Sequence, residues 1–271
     1  VGSISYNEVN QGGWRSFSKA DHPSAFSRSG MGLWGSIKPD VVEYGGDLVH
    51  DSGNPMQLST VENGCPELVR STFHGPSPEF DSDSVGTSFS TPKVTHIAAI
   101  LAGLFPDEPT LLYRALVINS ARWPEWAEDS GDKLGALRSL GYGIPDVGRA
   151  TSNNEFRVTL ISSGIQDINS REAQIFQIPI PGELRSPASE FNVRIDVTLS
   201  YTAPPRRTRR NPRHYLGTWL DWRSSHQEES LASFQDRILK DGDAASNDAG
   251  DVIPWMLREK DHWGMVEGAS R

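Results

Sequence analysis

The 271 residues contain a single cysteine, Cys65. One cysteine permits no intrachain disulfide, so nothing marks a secreted, disulfide-braced fold, and the composition fits a cytoplasmic chain better. A lone cysteine is more often a small buried or idle residue than a reactive one. No apolar run approaches the roughly 18 residues that a membrane-spanning helix needs. Basic residues are comparatively few: 26 Lys and Arg stand against 35 Asp and Glu, a net charge of −9, which argues against nucleic acid as the main partner. The first residues, Val1-Gly2-Ser3-Ile4-Ser5, carry no initiator methionine and no signal-peptide pattern, so any targeting segment is expected upstream of Val1. Length is what the chain has, enough for one large or two ordinary domains with proper cores.

The most informative stretch is Ser84-Val85-Gly86-Thr87-Ser88-Phe89-Ser90-Thr91-Pro92-Lys93-Val94. Pro92 is tolerated near a helix start, and Val94, Ile97, Ala98, Leu101 and Leu104 follow at helical spacing, so Ser88 is expected in the first turn of an apolar, buried helix. Free backbone N–H groups and the positive end of the helix dipole would lie beside its hydroxyl, where an acyl-transfer oxyanion forms. Local physics leaves two readings of Ser88 open: a nucleophile, or an ordinary N-cap of the kind that commonly precedes an apolar run.

Upstream of that stretch, Val1 to Ser5 reads as a short strand, and Gln11 to Gly35 as irregular loops pinned by Trp14, Phe17, Phe26 and Trp34. Asp40-Val41-Val42 reads as a short buried strand ending at Gly45-Gly46, and residues 46–85 as one long loop. Downstream, Thr110 is a candidate N-cap for a second helix carrying Leu111, Leu112, Ala115, Leu116 and Ile118. Trp123 and Trp126 are expected to cover this helix pair. Near residue 152 the period changes from about 3.6 to 2: Phe156-Val158-Leu160, Phe176-Ile178-Ile180 and Phe191-Val193-Ile195-Val197-Leu199-Tyr201 alternate with mainly polar residues. Such alternation predicts antiparallel strands with one wet face, most simply a β-sandwich over residues 152–271. Leu216 to Trp222 reads as another strand, and Gln227 to Lys240 as a helix with Leu231, Phe234 and Ile238 inward. The basic run Arg206, Arg207, Arg209, Arg210 and Arg213 reads as a solvated loop, and Trp255, His262 and Trp263 as unpaired sheet surface. No closing strand signal marks the last residues.

Gly86-Thr87-Ser88-Phe89-Ser90-Thr91-Pro92 resembles the nucleophile motif of subtilisin-like serine proteases. Phe26-Ser27-Arg28-Ser29-Gly30 and Lys38-Pro39-Asp40-Val41-Val42-Glu43-Tyr44-Gly45 resemble that family's "FSxxG" and "KPDVVAPG" stretches, and Gly141-Tyr142-Gly143 its closing "GYG". The resemblance covers residues 1–151. It implies an α/β fold: part of a parallel-sheet catalytic domain in 1–151, followed by the β-sandwich in 152–271. It also implies peptide-bond hydrolysis by a Ser/His/Asp mechanism on a polypeptide substrate, with Ser88 as the nucleophile. Asp51-Ser52-Gly53 and His74-Gly75 imitate the family's Asp and His motifs. However, 88 − 74 = 14 residues leave no room for the crossover that separates His from Ser in that fold. No other residue fills the His, Asp or oxyanion Asn positions, so the missing N-terminal half of the catalytic domain is an expected partner, and the chain alone is expected to be inactive. Calcium is common in the family, yet no ligand-spaced carboxylate loop is found, and no cofactor is expected. One alternative is a non-catalytic interaction or regulatory fragment whose β domain binds a protein. A sedolisin-type protease, with glutamate in place of histidine, fits "KPDVV" less well.

Overall fold

The computed structural model describes residues 1–32, 36–59, 67–71, 83–169, 171–179, 181–182, 193–203, 220, 222–226, 229–241, 258–260 and 265–267. In chain order the strands are β1 (Gly2–Ile4), β2 (Asn10–Gln11), β3 (Trp14–Ser16), β4 (Gly30–Met31), β5 (Ile37–Lys38), β6 (Val42–Tyr44), β7 (Val49–Asp51) and β8 (Leu58–Ser59). The helices α1 (Thr87–Leu104), α2 (Thr110–Ser120), α3 (Glu125–Glu128), α4 (Lys133–Leu140), α5 (Val147–Thr151) and α6 (Leu231–Asp241) follow, then β9 (Arg258–Lys260) and β10 (Met265–Glu267).

The centre of the fold is the parallel pair β1–β6, in register Gly2↔Val42, Ser3↔Glu43, Ile4↔Tyr44. Successive residues of an extended chain point to opposite faces, and the sequence Val41-Val42 uses this to feed two cores. Val42 joins Ile4, Ile37, Trp123, Ala127, Ala136, Leu137 and Leu140 on one side. Val41 joins Ile97, Leu101, Leu116, Val117, Ala121 and Ala150 on the other, under α1, α2 and α5. The Gly141-Tyr142-Gly143 segment closes this unit by running beside residues 40–42: Tyr142 N–H donates to Asp40 O at 2.8 Å, and Val42 N–H to Gly143 O at 3.0 Å.

Several expectations change. The segments read as loops hold strands: β2, β3, β7 and β8 form a four-stranded antiparallel sheet, and β4 pairs with β5. Strands of two or three residues show no alternation for a sequence reading to detect. Helix α1 is buried along one stripe only: Ser90, Ile97 and Leu101 are buried and Val94 half-buried, while Thr91, Lys93, Thr95, His96 and Ala99 are exposed. Pro109, not Thr110, occupies the N-cap of α2. Trp123 and Trp126 serve the face opposite the α1–α2 pair: Trp123 Nε1 donates to Gly141 O at 2.7 Å, and Trp126 stacks on His22 with ring centroids 4.2 Å apart.

Among the described residues of 152–203 no strand forms, and the β-sandwich is therefore absent from them; the one pairing is an isolated bridge, Asn154↔Arg157. Phe156, Val158 and Leu160 are exposed, as are Phe176 and Ile178. The run 193–199 turns its polar residues to the helices, where Asp196 pairs with Arg122 at 2.8 Å and Arg194 with Glu128 at 3.2 Å. Val193, Ile195, Val197 and Leu199 remain exposed. Helix α6 is confirmed with Phe234 and Ile238 half-buried, but Leu231 is exposed. Near the end, Met265–Glu267 pairs antiparallel with Arg258–Lys260. Cys65, His74, the basic run 206–213, Trp255, His262, Trp263 and most of 216–222 lie outside the described residues.

Candidate active site

At the carboxyl end of β6 the chain turns through Gly45-Gly46, and Gly86 docks on it, its N–H donating to Gly45 O at 2.8 Å. Only a hydrogen fits on Gly45: a methyl group there would overlap the hydroxyls of Ser90 and Ser3 and the carbonyl of Gly86. Gly86 itself adopts φ 155°, ψ 156°, a region essentially restricted to glycine. These two glycines bring the start of α1 against the carboxyl ends of a parallel strand pair, which is where open α/β sheets place their ligands.

Ser88 is the second residue of α1 and is exposed. Its N–H belongs to the first helical turn, where the helix dipole adds positive potential, and the next amide, Phe89 N–H, donates to Gly86 O at 2.9 Å. Pro92, four residues on, has no N–H to donate to the Ser88 carbonyl, so the first turn is held partly by side chains. Thr91 Oγ1 donates to Thr87 O at 2.9 Å and Thr95 Oγ1 to Thr91 O at 3.0 Å. The N-cap position is Gly86, and no side chain caps the helix, so the reading of Ser88 as an N-cap does not hold. An exposed hydroxyl at the positive end of a helix can attack a carbonyl carbon and have the resulting oxyanion stabilised there.

Among the described residues no hydrogen bond engages the Ser88 side chain. The described histidines are placed elsewhere. His22 contacts Ala20 O through Nδ1 at 2.9 Å and stacks on Trp126, and His50 Nδ1 contacts Asp51 O at 3.2 Å. His96 is exposed two turns farther along α1, and His226 donates its backbone N–H to Glu229. Asp51 does not face the serine either. Its Oδ1 accepts the N–H groups of Gly53 at 2.6 Å and Asn54 at 3.3 Å, closing a local turn.

A charged cluster that sequence reasoning missed flanks α1. Lys93 Nζ lies 3.8 Å from Glu43 Oε2 and 5.5 Å from the Tyr44 ring centroid. Tyr44 Oη donates to Asp21 Oδ1 at 2.6 Å, and Tyr6 meets the Tyr44 ring edge-on at 5.1 Å. Burial raises the Glu43 carboxyl above the usual range, opposed by the Tyr44 N–H and Lys93. Burial, then the hydrogen bond to Asp21, raise the Tyr44 phenol. The signal was in the chain: Glu43-Tyr44 stands where the resembling stretch reads Ala-Pro. No group of three or more His, Cys, Asp or Glu gathers among the described residues.

Against this geometry, the comparison with family models is decisive. The subtilase family model matches residues 1–143, more than half of the chain, from β1 through the Ser88 turn to the Gly141-Tyr142-Gly143 segment. The chain belongs to the subtilase family. Subtilases are serine proteases, and a subtilisin-like protease from Arabidopsis thaliana, SBT6.1, is 28% identical over 134 residues, covering 44% of this chain and 11% of that protein. The uncharacterized protein y4bN of Sinorhizobium fredii is 35% identical over 214 residues, covering 77% of this chain and 47% of that protein. An alignment of that length runs beyond the subtilase segment, so the similarity includes part of the C-terminal region. The subtilase chain described here thus spans about half the length of one relative and about a tenth of the other. No solved structure matches it.

Proposed function

We propose that this chain supplies the nucleophile of a subtilisin-like serine endopeptidase, and that Ser88 is that nucleophile. The observation that carries the reading is the placement of an exposed serine in the first turn of α1, held at the carboxyl end of β6 by Gly45 and Gly86. In the reaction Ser88 Oγ attacks the scissile carbonyl carbon and passes its proton to a histidine that an aspartate orients. The Ser88 N–H and an asparagine amide then hold the oxyanion. The family resemblance implies these partners, and they are proposed to come from an upstream half of the catalytic domain. In the same reading, residues 152–271 form a β-sandwich once their alternating segments pair.

The test is labelling of the complete protein with a fluorophosphonate probe. Stoichiometric modification of Ser88, lost in Ser88→Ala with unchanged folding, supports the proposal. Labelling that survives Ser88→Ala, or a folded complete protein that neither labels nor cleaves peptides, overturns it. The second outcome would favour the other reading, a non-catalytic interaction module, for which the outward Val193, Ile195, Val197 and Leu199 speak.

A further inference from the structure

Four charged side chains in one line hold the run 193–199 against the ends of α2 and α3. Glu128 Oε1 lies 3.2 Å from Arg194 Nη1, Arg194 Nε lies 3.2 Å from Asp196 Oδ1, and Asp196 Oδ2 lies 2.8 Å from Arg122 Nη2. The signs alternate, so Asp196 meets two guanidinium groups and Arg194 two carboxylates. Asn119 extends the line: its Nδ2 donates to Thr198 Oγ1 at 3.1 Å and reaches Asp196 O at 3.5 Å. Residues 194, 196 and 198 thus engage the helices, while Val193, Ile195, Val197 and Leu199 are exposed. Arg157, earlier in the same region, behaves alike at the end of α5. Its Nη2 donates to Gly148 O at 3.2 Å and Ser152 O at 2.8 Å, with Phe156 and Val158 exposed beside it. Both runs send arginines to helix ends, where carbonyls without intrahelical donors favour cations.

Such a line fixes register. A shift of the run by one residue would set Ile195 or Val197 against Arg122 and Glu128, leaving partly buried charges without partners. A shift by two would bring Arg194 or Thr198 to Arg122, a like charge or a neutral hydroxyl in place of a carboxylate. The receiving face is itself joined to the strand that seats the Ser88 turn. Arg122 N–H donates to Ile144 O at 3.0 Å and Ile144 N–H to Arg122 O at 2.8 Å. Gly143 packs so closely on the Arg122 carbonyl that no side chain fits there, and its own carbonyl accepts the Val42 N–H of β6 at 3.0 Å.

We propose that the face formed by Asn119, Arg122 and Glu128 is the docking surface that seats the region after residue 151 on the Ser88 unit, and that residues 193–199 of the same chain occupy it in a single register. The chemistry it recognises is a run whose alternate residues are Arg, Asp and Thr. Each ion pair is partly exposed and weak by itself, so what the line contributes is position rather than global stability. The inference goes beyond the proposed hydrolysis. It holds whether or not Ser88 is a nucleophile, and whether or not the alternating segments pair into a sandwich.

Two measurements on the 271-residue chain test this. In a Cys65→Ser background, Asn119→Cys with Thr198→Cys should form a disulfide under mild oxidation, found by mass spectrometry of the unreduced digest. Asn119→Cys with Val197→Cys, or with Leu199→Cys, should not, because those side chains face away from the helices. No cross-link at 198, or equal cross-linking at 197 or 199, overturns the proposal. In limited proteolysis with thermolysin, Glu128→Arg should speed cleavage within 193–199 on the order of threefold, the worth of one partly exposed ion pair. Glu125→Arg makes the same charge change on the same helix without a partner in the run, and should leave the rate at the wild-type value. An unchanged rate in Glu128→Arg, or equal acceleration by both variants, overturns the proposal. If the cysteine variants do not fold, the proteolysis decides.

Discussion

Single residues at the Ser88 turn are governed by close approach rather than by side-chain chemistry. Gly45 is the sharpest case, with the Ser90 and Ser3 hydroxyls and the Gly86 carbonyl all inside the space of a β-carbon. Gly45→Ala is expected to cost about 1–3 kcal/mol, the usual penalty of overpacking a site that cannot relax. It would be read as a lowered urea midpoint with an unchanged slope. Gly53→Ala is the control: only the Asp51 carboxylate lies near its β-position, at 3.3 Å, so its stability should change by no more than about 0.5 kcal/mol. Equal losses at the two positions would refute the close-approach argument. At this scale the sequence was legible where a motif fixes geometry, as in Gly86-Thr87-Ser88. It was illegible at Glu67, whose buried carboxyl accepts from the Ser5 and Ser16 hydroxyls, far away in the chain. Residue type alone says only that a glutamate is ordinarily exposed and charged.

Elements show the same division between local and non-local information. Helices α1 and α2 could be read because each carries its apolar stripe within itself, and Leu101, fully buried on that stripe, should cost about 2–5 kcal/mol on substitution by alanine. The four-stranded sheet was missed because β3 pairs with β7 across more than thirty residues, a choice made by tertiary packing. The end of α2 joins the two kinds of information in one side chain. Arg122 Nη1 donates to the carbonyls of Asn119 at 2.8 Å and Ala121 at 2.7 Å, and its Nη2 pairs with Asp196 at 2.8 Å. Arg122→Met should therefore destabilise the chain by about 1–3 kcal/mol, because it strips helix-end carbonyls of a charged donor. Asp196→Asn leaves those carbonyls paired. It should lower stability by less than about 1 kcal/mol, the worth of a partly exposed ion pair. It should nevertheless speed proteolysis within 193–199, as seen by mass spectrometry of the fragments. An Asp196→Asn loss as large as that of Arg122→Met would mean that the ion pair, not the helix end, is what Arg122 stabilises.

For the molecule as a whole, the parallel pair, the Ser88 turn and the two cores amount to a scaffold that presents a hydroxyl without a base beside it among the described residues. A serine hydroxyl is a weak nucleophile until a base accepts its proton. In subtilisin, removal of the histidine alone costs about as much as removal of the whole triad, about 10⁶-fold in kcat. The 271-residue chain by itself is accordingly expected to show neither fluorophosphonate labelling of Ser88 nor peptide cleavage above background. Supplying the upstream half of the proposed catalytic domain, in cis or as a second chain, should restore both, and Ser88→Ala should abolish them again. The comparison is informative because the exposed serine and its first-turn amides are already in place in this chain. In the proposed reading the upstream half would add a base and a second oxyanion donor, so labelling should appear without refolding of residues 1–151. Stoichiometric labelling of the chain alone would show that a base is already present. His74, which precedes the serine by 14 residues and lies outside the described residues, would then be the first side chain to replace.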